Sequence, residues 1–165
     1  MAGKVVRGQL VAVEGGDRCG KSTQCHHILQ YCQQHHIPVH YQKFPDRTTA
    51  IGRIINEYLL MGHDLNDHSI HLLFSANRWE LVDSIEGMLN KGVTVICDRY
   101  VPSGIAYTTA KGIDPQWAAK PDHGLLKPDL VLFLDAAAVR VCDCGVDGGE
   151  WYERVELKAR VRNAF

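Results

Sequence analysis

The segment Gly15-Gly16-Asp17-Arg18-Cys19-Gly20-Lys21-Ser22 meets the spacing G-x-x-x-x-G-K-[ST] at every fixed position. An apolar run enters it and a helical pattern leaves it, which is the context such a motif needs. The chemistry is specific. Glycines let the backbone curl until successive N–H groups face phosphate oxygens, and a helix starting near Lys21 turns its positive end to the same point. Lys21 then reaches the β- and γ-phosphates of a bound nucleotide, and the Ser22 hydroxyl joins the shell of Mg²⁺. The alternative is a tight strand-to-helix turn with an incidental lysine. It requires four fixed positions in an eight-residue span and both flanks to agree by chance, so the phosphate-loop reading stands.

Two further clusters decide what a phosphate loop alone leaves open. Phe44-Pro45-Asp46-Arg47 and Asp98-Arg99-Tyr100 each leave the carboxyl end of an expected strand, the edge where open α/β sheets bind ligands. An arginine fork suits a phosphate monoester, and an aspartate at a strand end suits Mg²⁺, usually through its waters. Ordinary loop ion pairs explain each cluster singly. Phe74 and Arg78 are four residues apart, so on a helix they share a face and can frame a planar ring. The residues alone leave a second reading open, in which Phe74 is core and Arg78 caps a carboxylate. Trp79 and Leu81 read as packing.

Four short apolar, β-branched runs are expected to be buried strands: Gln9–Glu14, Val39–Phe44, Val93–Asp98 and Asp129–Asp135. Helical patterns cover Lys21–Gln34, Thr49–Leu60, Ser69–Leu89 as one long helix, and the charged Trp151–Phe165. Continuous apolar strands separated by helices imply parallel pairing with both faces covered. The expected fold class is α/β, a three-layer α/β/α sandwich with a parallel sheet.

The chain has 165 residues and a formal charge of −1, which suits one domain and argues against nucleic acid as a partner. Its longest uninterrupted apolar run, Leu130–Leu134, is far short of the ~18 residues of a membrane span. No signal-peptide pattern opens the chain. The scattered cysteines Cys19, Cys25, Cys32, Cys97, Cys142 and Cys144 read as free thiols in a reducing compartment. Cys142-Asp143-Cys144 is half a metal site that nothing completes. The histidines are expected on solvated surface. Cytoplasm is the expected compartment, with nucleus or mitochondrion left open.

In these residues the chain resembles the thymidylate kinase family in its eukaryotic and poxviral-like branch. The resemblance rests on Glu14 to Thr23, Phe44 to Arg47, His71 to Glu80, Asp98 to Tyr100 with Ser103-Gly104, and Lys127 to Leu130. It implies transfer of the γ-phosphoryl of ATP to dTMP, giving dTDP and ADP, with Mg²⁺. On that likeness Gly15, Gly16, Asp17, Arg18, Cys19, Gly20, Lys21, Ser22 and Thr23 cradle ATP, and Arg140 packs on adenine or touches phosphate. Asp17 takes the 3′-hydroxyl of dTMP, and Arg18 is the catalytic arginine carried in the phosphate loop. Arg47 and Arg99 hold the dTMP phosphate, Phe74 stacks on thymine, Arg78 bonds its O4 edge, and Asp98 attends the metal. Phe44, Gly104 and Tyr107 complete the dTMP site, with Tyr107 crowding a ribose 2′-hydroxyl. A lid segment is expected near 140–150. Tyr152, with Glu150 and Glu153 nearby, resembles the lid's acidic-aromatic part and joins the dTMP-binding set, and Trp151 stands in place of the usual polar residue. The resemblance also implies a homodimer, and a fifth strand and final helices beyond Phe165. Two other readings stay open: a non-catalytic nucleotide- or partner-binding protein, and a kinase for a different nucleoside monophosphate.

Overall fold

The computed structural model describes residues 6–61, 65–135 and 149–165. Its strands are β1 (Leu10–Gly15), β2 (Val39–Lys43), β3 (Thr94–Asp98) and β4 (Leu130–Leu134), each end within one residue of expectation. All pair in parallel, in the order β2-β3-β1-β4. Side-chain alternation sends Leu10, Ala12, Val95 and Cys97 to one face, where Ile85 and Leu89 of α4 (Val82–Asn90) cover them. Val13 and Ile96 go to the other face, against Cys25 of α1 (Lys21–Gln34). Each fully buried aliphatic side chain here is worth roughly 2 kcal/mol, so covering both faces holds the sheet. The register places Lys43 beside Asp98, and Asp98 beside Val13, so the loops that follow three strands leave from one edge. That edge carries the site.

The helices α1 and α2 (Ala50–Met61) lie where the apolar spacing puts them. The single helix expected over Ser69–Leu89 is instead α3 (Asp67–Trp79) followed by α4. No glycine or proline marks the break. The inward face of α3 becomes polar at Asn77 and Arg78, whose side chains tie its end to neighbouring loops, and the chain re-aims at Leu81. Between β3 and β4 stand α5 (Val101–Thr109), α6 (Pro115–Ala119) and a 3₁₀ turn, Lys120–Asp122. The last helix, α7 (Gly149–Ala164), packs Val161 against Ala106 and Ala110 of α5.

The expectation that β4 is buried is corrected. Leu130, Val131 and Phe133 are 50%, 47% and 46% exposed. Among the described residues β4 pairs only with β1, at the sheet edge, and Phe133 is met by the Phe165 ring at 5.0 Å. An apolar run signals a strand without saying how many neighbours it will have.

Candidate active site

The phosphate loop is built by backbone conformations that its sequence permits. Gly15 has φ 136°, and a Cβ there would lie 2.3 Å from the Leu134 carbonyl oxygen, so only glycine lets β1 leave past β4. Gly20 ends the loop in the left-handed region and caps α1. Arg18, with φ 60°, is a non-glycine residue held in a sparsely populated region, as functional loops often are. Lys21 begins α1 with only 6% exposure, its Nζ donating to the Gly16 carbonyl and lying 3.5 Å from Cys19 Sγ. Burial lowers its pKa below the ordinary 10.5, and the Arg99 charge adds to that. The ammonium is thus folded back on its own loop, ready to be drawn out by an anion.

Ser22 and Asp98 meet beside it. The Ser22 hydroxyl donates to Asp98 Oδ2 at 2.5 Å, and the Tyr41 hydroxyl donates to the same oxygen at 3.0 Å. Two hard oxygen donors at the mouth of a phosphate loop fit Mg²⁺.

Arg99 links the sheet edge to α5. It donates to the Gly15 carbonyl at 3.2 Å, Ser103 Oγ at 3.1 Å, Asp17 Oδ1 at 2.6 Å and Tyr107 Oη at 3.4 Å. Its guanidinium lies 5.2 Å from the Tyr107 ring centre. Glu14 supports this corner from beneath, accepting from Tyr100 N at 2.7 Å and Ser103 Oγ at 2.5 Å. Burial raises the Glu14 pKa above 4.5 even against those donors.

The second arginine is placed by a different device. The loop after β2 is pinned by Asn77 of α3, which accepts from Asp46 N at 2.8 Å and donates to the Asp46 carbonyl and Thr49 Oγ1. Asp46 caps its own turn through Thr48, while Arg47 reaches Asn56 at 3.1 Å. The loop ion pair between Asp46 and its surroundings is therefore not what holds Arg47. Phe44 combines two roles, buried against Tyr100 at 5.6 Å between ring centres and bordering the cavity.

One cavity of about 750 Å³ joins these groups. The expected residues Asp17, Arg18, Gly20, Lys21, Ser22, Thr23, Phe44, Arg47, Phe74, Arg78, Asp98, Arg99, Gly104 and Tyr107 all border it. Gly15, Gly16 and Cys19 shape the loop without bordering the cavity. Arg140, Cys142 and Cys144 lie outside the described residues, and the Tyr152 and Trp151 side chains are likewise outside them. Phe74 is only half-buried at the cavity wall, while Arg78 borders the cavity and is paired with a buried carboxylate, Asp122. Sequence reasoning missed that partner, and also Tyr58, Asp67 and Lys111 at the far rim. There Lys111 Nζ donates to Asp67 Oδ1 at 2.6 Å, closing α3 toward the end of α5.

The expectation of solvated histidines fails at His71, which is 1% exposed. Its Nε2 donates to the Ala118 carbonyl at 2.8 Å, leaving Nδ1 to accept from the Thr108 hydroxyl at 2.7 Å. Spacing could have found it, since 71, 74 or 75, and 78 share one helix face. Its partners on α5 and α6 are distant in sequence and left no local signal. Burial holds the His71 pKa below 6.5, outweighing the Ala118 carbonyl. The unfolded chain then takes up a proton that the folded one refuses, so stability falls as pH drops below about 6.5. Thermal melts from about pH 7.5 to 5.5 should show a steeper decline for the wild type than for His71→Gln. Parallel declines would contradict this account.

A triphosphate on the loop and a phosphorylated acceptor held by Arg99 would face each other across this one cavity. Fold and site are those of a P-loop nucleoside monophosphate kinase. The thymidylate kinase family model matches residues 13–157. Thymidylate kinase of Schizosaccharomyces pombe is 49% identical over 159 residues, covering 96% of this chain and 76% of that protein. That of Arabidopsis thaliana is 46% identical, covering 96% of this chain and 60% of that longer protein. The solved structure of thymidylate kinase from Candida albicans superposes with a TM-score of 0.82 at 43% identity, over 96% of this chain and 76% of that one. The chain belongs to the thymidylate kinase family, and is an ATP-dependent phosphotransferase.

Proposed function

We propose that this site transfers the γ-phosphoryl of ATP to the 5′-phosphate of dTMP, giving ADP and dTDP. The observation that carries the reading is the single cavity. The phosphate loop, the Phe74–Arg78 face of α3 and Arg99 all line it, and Arg99 is tied to the loop at Asp17. The acceptor's own phosphate oxygen attacks, so the protein needs no nucleophile. Burial pushes the Cys25 and Cys97 thiols up to about 12, consistent with purely structural cysteines.

The chain's task is positioning and charge neutralisation. Lys21 and the loop N–H groups hold the β- and γ-phosphates, and Arg18, at the exposed turn of the loop, covers the transferring group. Arg99 and Arg47 grip the acceptor phosphate. Asp17, already paired with Arg99, keeps its second oxygen for the sugar 3′-hydroxyl. Phe74 offers a face to the base, and Tyr107 fills the space beside the sugar. Ser22 and Asp98 would hold Mg²⁺, which when bound screens the phosphate charges.

The chain's other properties fit this reading. No helix among the described residues is long and apolar enough to cross a membrane. Cys19, Cys25, Cys32 and Cys97 are free thiols, which suits the cytoplasm. A homodimer is part of the proposal. Its support is the set of exposed apolar side chains on α2 and α3: Ile54, Leu60 and Leu72, at 47%, 69% and 46%.

A coupled assay with ATP, dTMP and Mg²⁺, set beside calorimetry of dTMP binding, tests the reading. Turnover is expected, and chelation of the metal should remove at least about 99% of it on the usual weight of charge stabilisation at a phosphoryl centre. Binding of dTMP without turnover would overturn it.

A further inference from the structure

Arg78 is among the most enclosed charges in the molecule. Its side chain is 4% exposed and that of Asp122 is 2% exposed. Arg78 donates from Nε to Asp122 Oδ1 at 3.1 Å and from Nη2 to Oδ2 at 2.6 Å. The Ser75 hydroxyl, one helical turn back on α3, donates to the same Oδ1 at 2.6 Å. Asp122 itself is fixed by the 3₁₀ turn Lys120–Asp122. A second constraint comes from α5, where a Cβ on Gly104 would lie 2.9 Å from Nη2 and 3.1 Å from Nη1. The guanidinium is clamped along its Nε–Nη2 edge by a carboxylate and pressed against backbone at Gly104. Among the described residues Nη1 has no hydrogen-bond partner, and Arg78 borders the cavity.

We infer that Asp122 is a specificity-determining positioning residue: it turns Arg78 so that the cavity selects a neutral base presenting a carbonyl oxygen rather than an amino group. The inference rests on the proposed reading of Arg78 as the donor to the base edge. Two physical consequences support it. The carboxylate cancels the guanidinium charge, so an uncharged ring can close the cavity without stranding a buried cation. It also occupies the Nε–Nη2 fork, leaving N–H groups that can only donate. A carbonyl oxygen satisfies them, whereas an amino group leaves buried donors unpaired, a mismatch that sites built for one partner reject strongly.

Calorimetry on the full chain with dTMP, dUMP and dCMP reads this directly. The wild type should bind dTMP and dUMP in preference to dCMP. Asp122→Asn should cut the dTMP-over-dCMP ratio by about tenfold, the usual weight of one buried hydrogen bond to a charged group. The dTMP-over-dUMP ratio should stay unchanged, because both bases carry the same carbonyl. General loosening of the fold would weaken all three ligands in parallel, and that result overturns the inference. If Asp122→Asn does not fold, Ser75→Ala decides. It removes only a neutral hydroxyl from Asp122, and should lower the dTMP-over-dCMP ratio about threefold. Arg78→Lys separates the two levels of the argument. If that variant keeps full discrimination, Arg78 does not read the base. If it loses discrimination while the deciding Asp122 or Ser75 variant keeps it, Arg78 reads the base without help from Asp122.

Discussion

Lys21→Ala is expected to lower kcat by about 10²–10³-fold, the loss typical when one preorganised donor is removed from developing charge. The expectation follows from where the side chain is held. It starts α1 with 6% exposure, and its ammonium rests on the Gly16 carbonyl of its own loop. A nucleotide's β- and γ-phosphates offer it a stronger partner that draws it off its own loop, to where charge develops during transfer. Stability should hardly fall, because the cation is already disfavoured by burial and its removal strands no carboxylate. A melt close to wild type together with a collapsed kcat is therefore the expected pair of results. Lys21→Arg should fail to rescue, since a planar fork presents its charge with a different shape and reach from a compact ammonium. A kcat for Lys21→Ala within tenfold of wild type would contradict the role given to this residue.

How far the sequence announces all this depends on how local each signal is. The phosphate loop is legible because spacing, glycines, entering strand and leaving helix all lie within about 25 consecutive residues. The strands are legible because continuous apolar runs have few other uses in a chain of this length. The α3–α4 break is not, since its cause is tertiary: Asn77 and Arg78 turn inward to reach Asp46 and Asp122. Asp122 sits 44 residues from its arginine in a segment that reads as loop, and His71 finds its partners 37 and 47 residues away. The exposure of β4 is a property of sheet order, which apolar content does not encode.

Arg99→Ala is expected to reduce kcat/KM for dTMP by about 10²–10³-fold while changing ATP affinity far less, as befits a charge-assisted fork on the acceptor phosphate. Arg99 is the point where the phosphate loop, β3 and α5 are tied. Its donors reach Gly15, Asp17, Ser103 and Tyr107. Removing it leaves the Asp17 carboxylate unpaired beside an incoming dianion, so repulsion adds to the lost grip. Arg99→Lys keeps a positive charge without the fork, and an intermediate loss of about tenfold is expected. Asp17→Asn combined with Arg99→Ala should cost less than the two single losses added, because their side chains act through one contact at 2.6 Å. Backbone conformation supplies an independent check. Arg99 has φ 70°, so Arg99→Gly should melt higher than Arg99→Ala by an amount worth about 1 kcal/mol, although both lose the same side chain. Equal activity losses in the two variants with unequal melts would separate the phosphate grip from the strained turn that presents it. An Arg99→Ala enzyme with unchanged kcat/KM for dTMP would remove Arg99 from the acceptor site altogether.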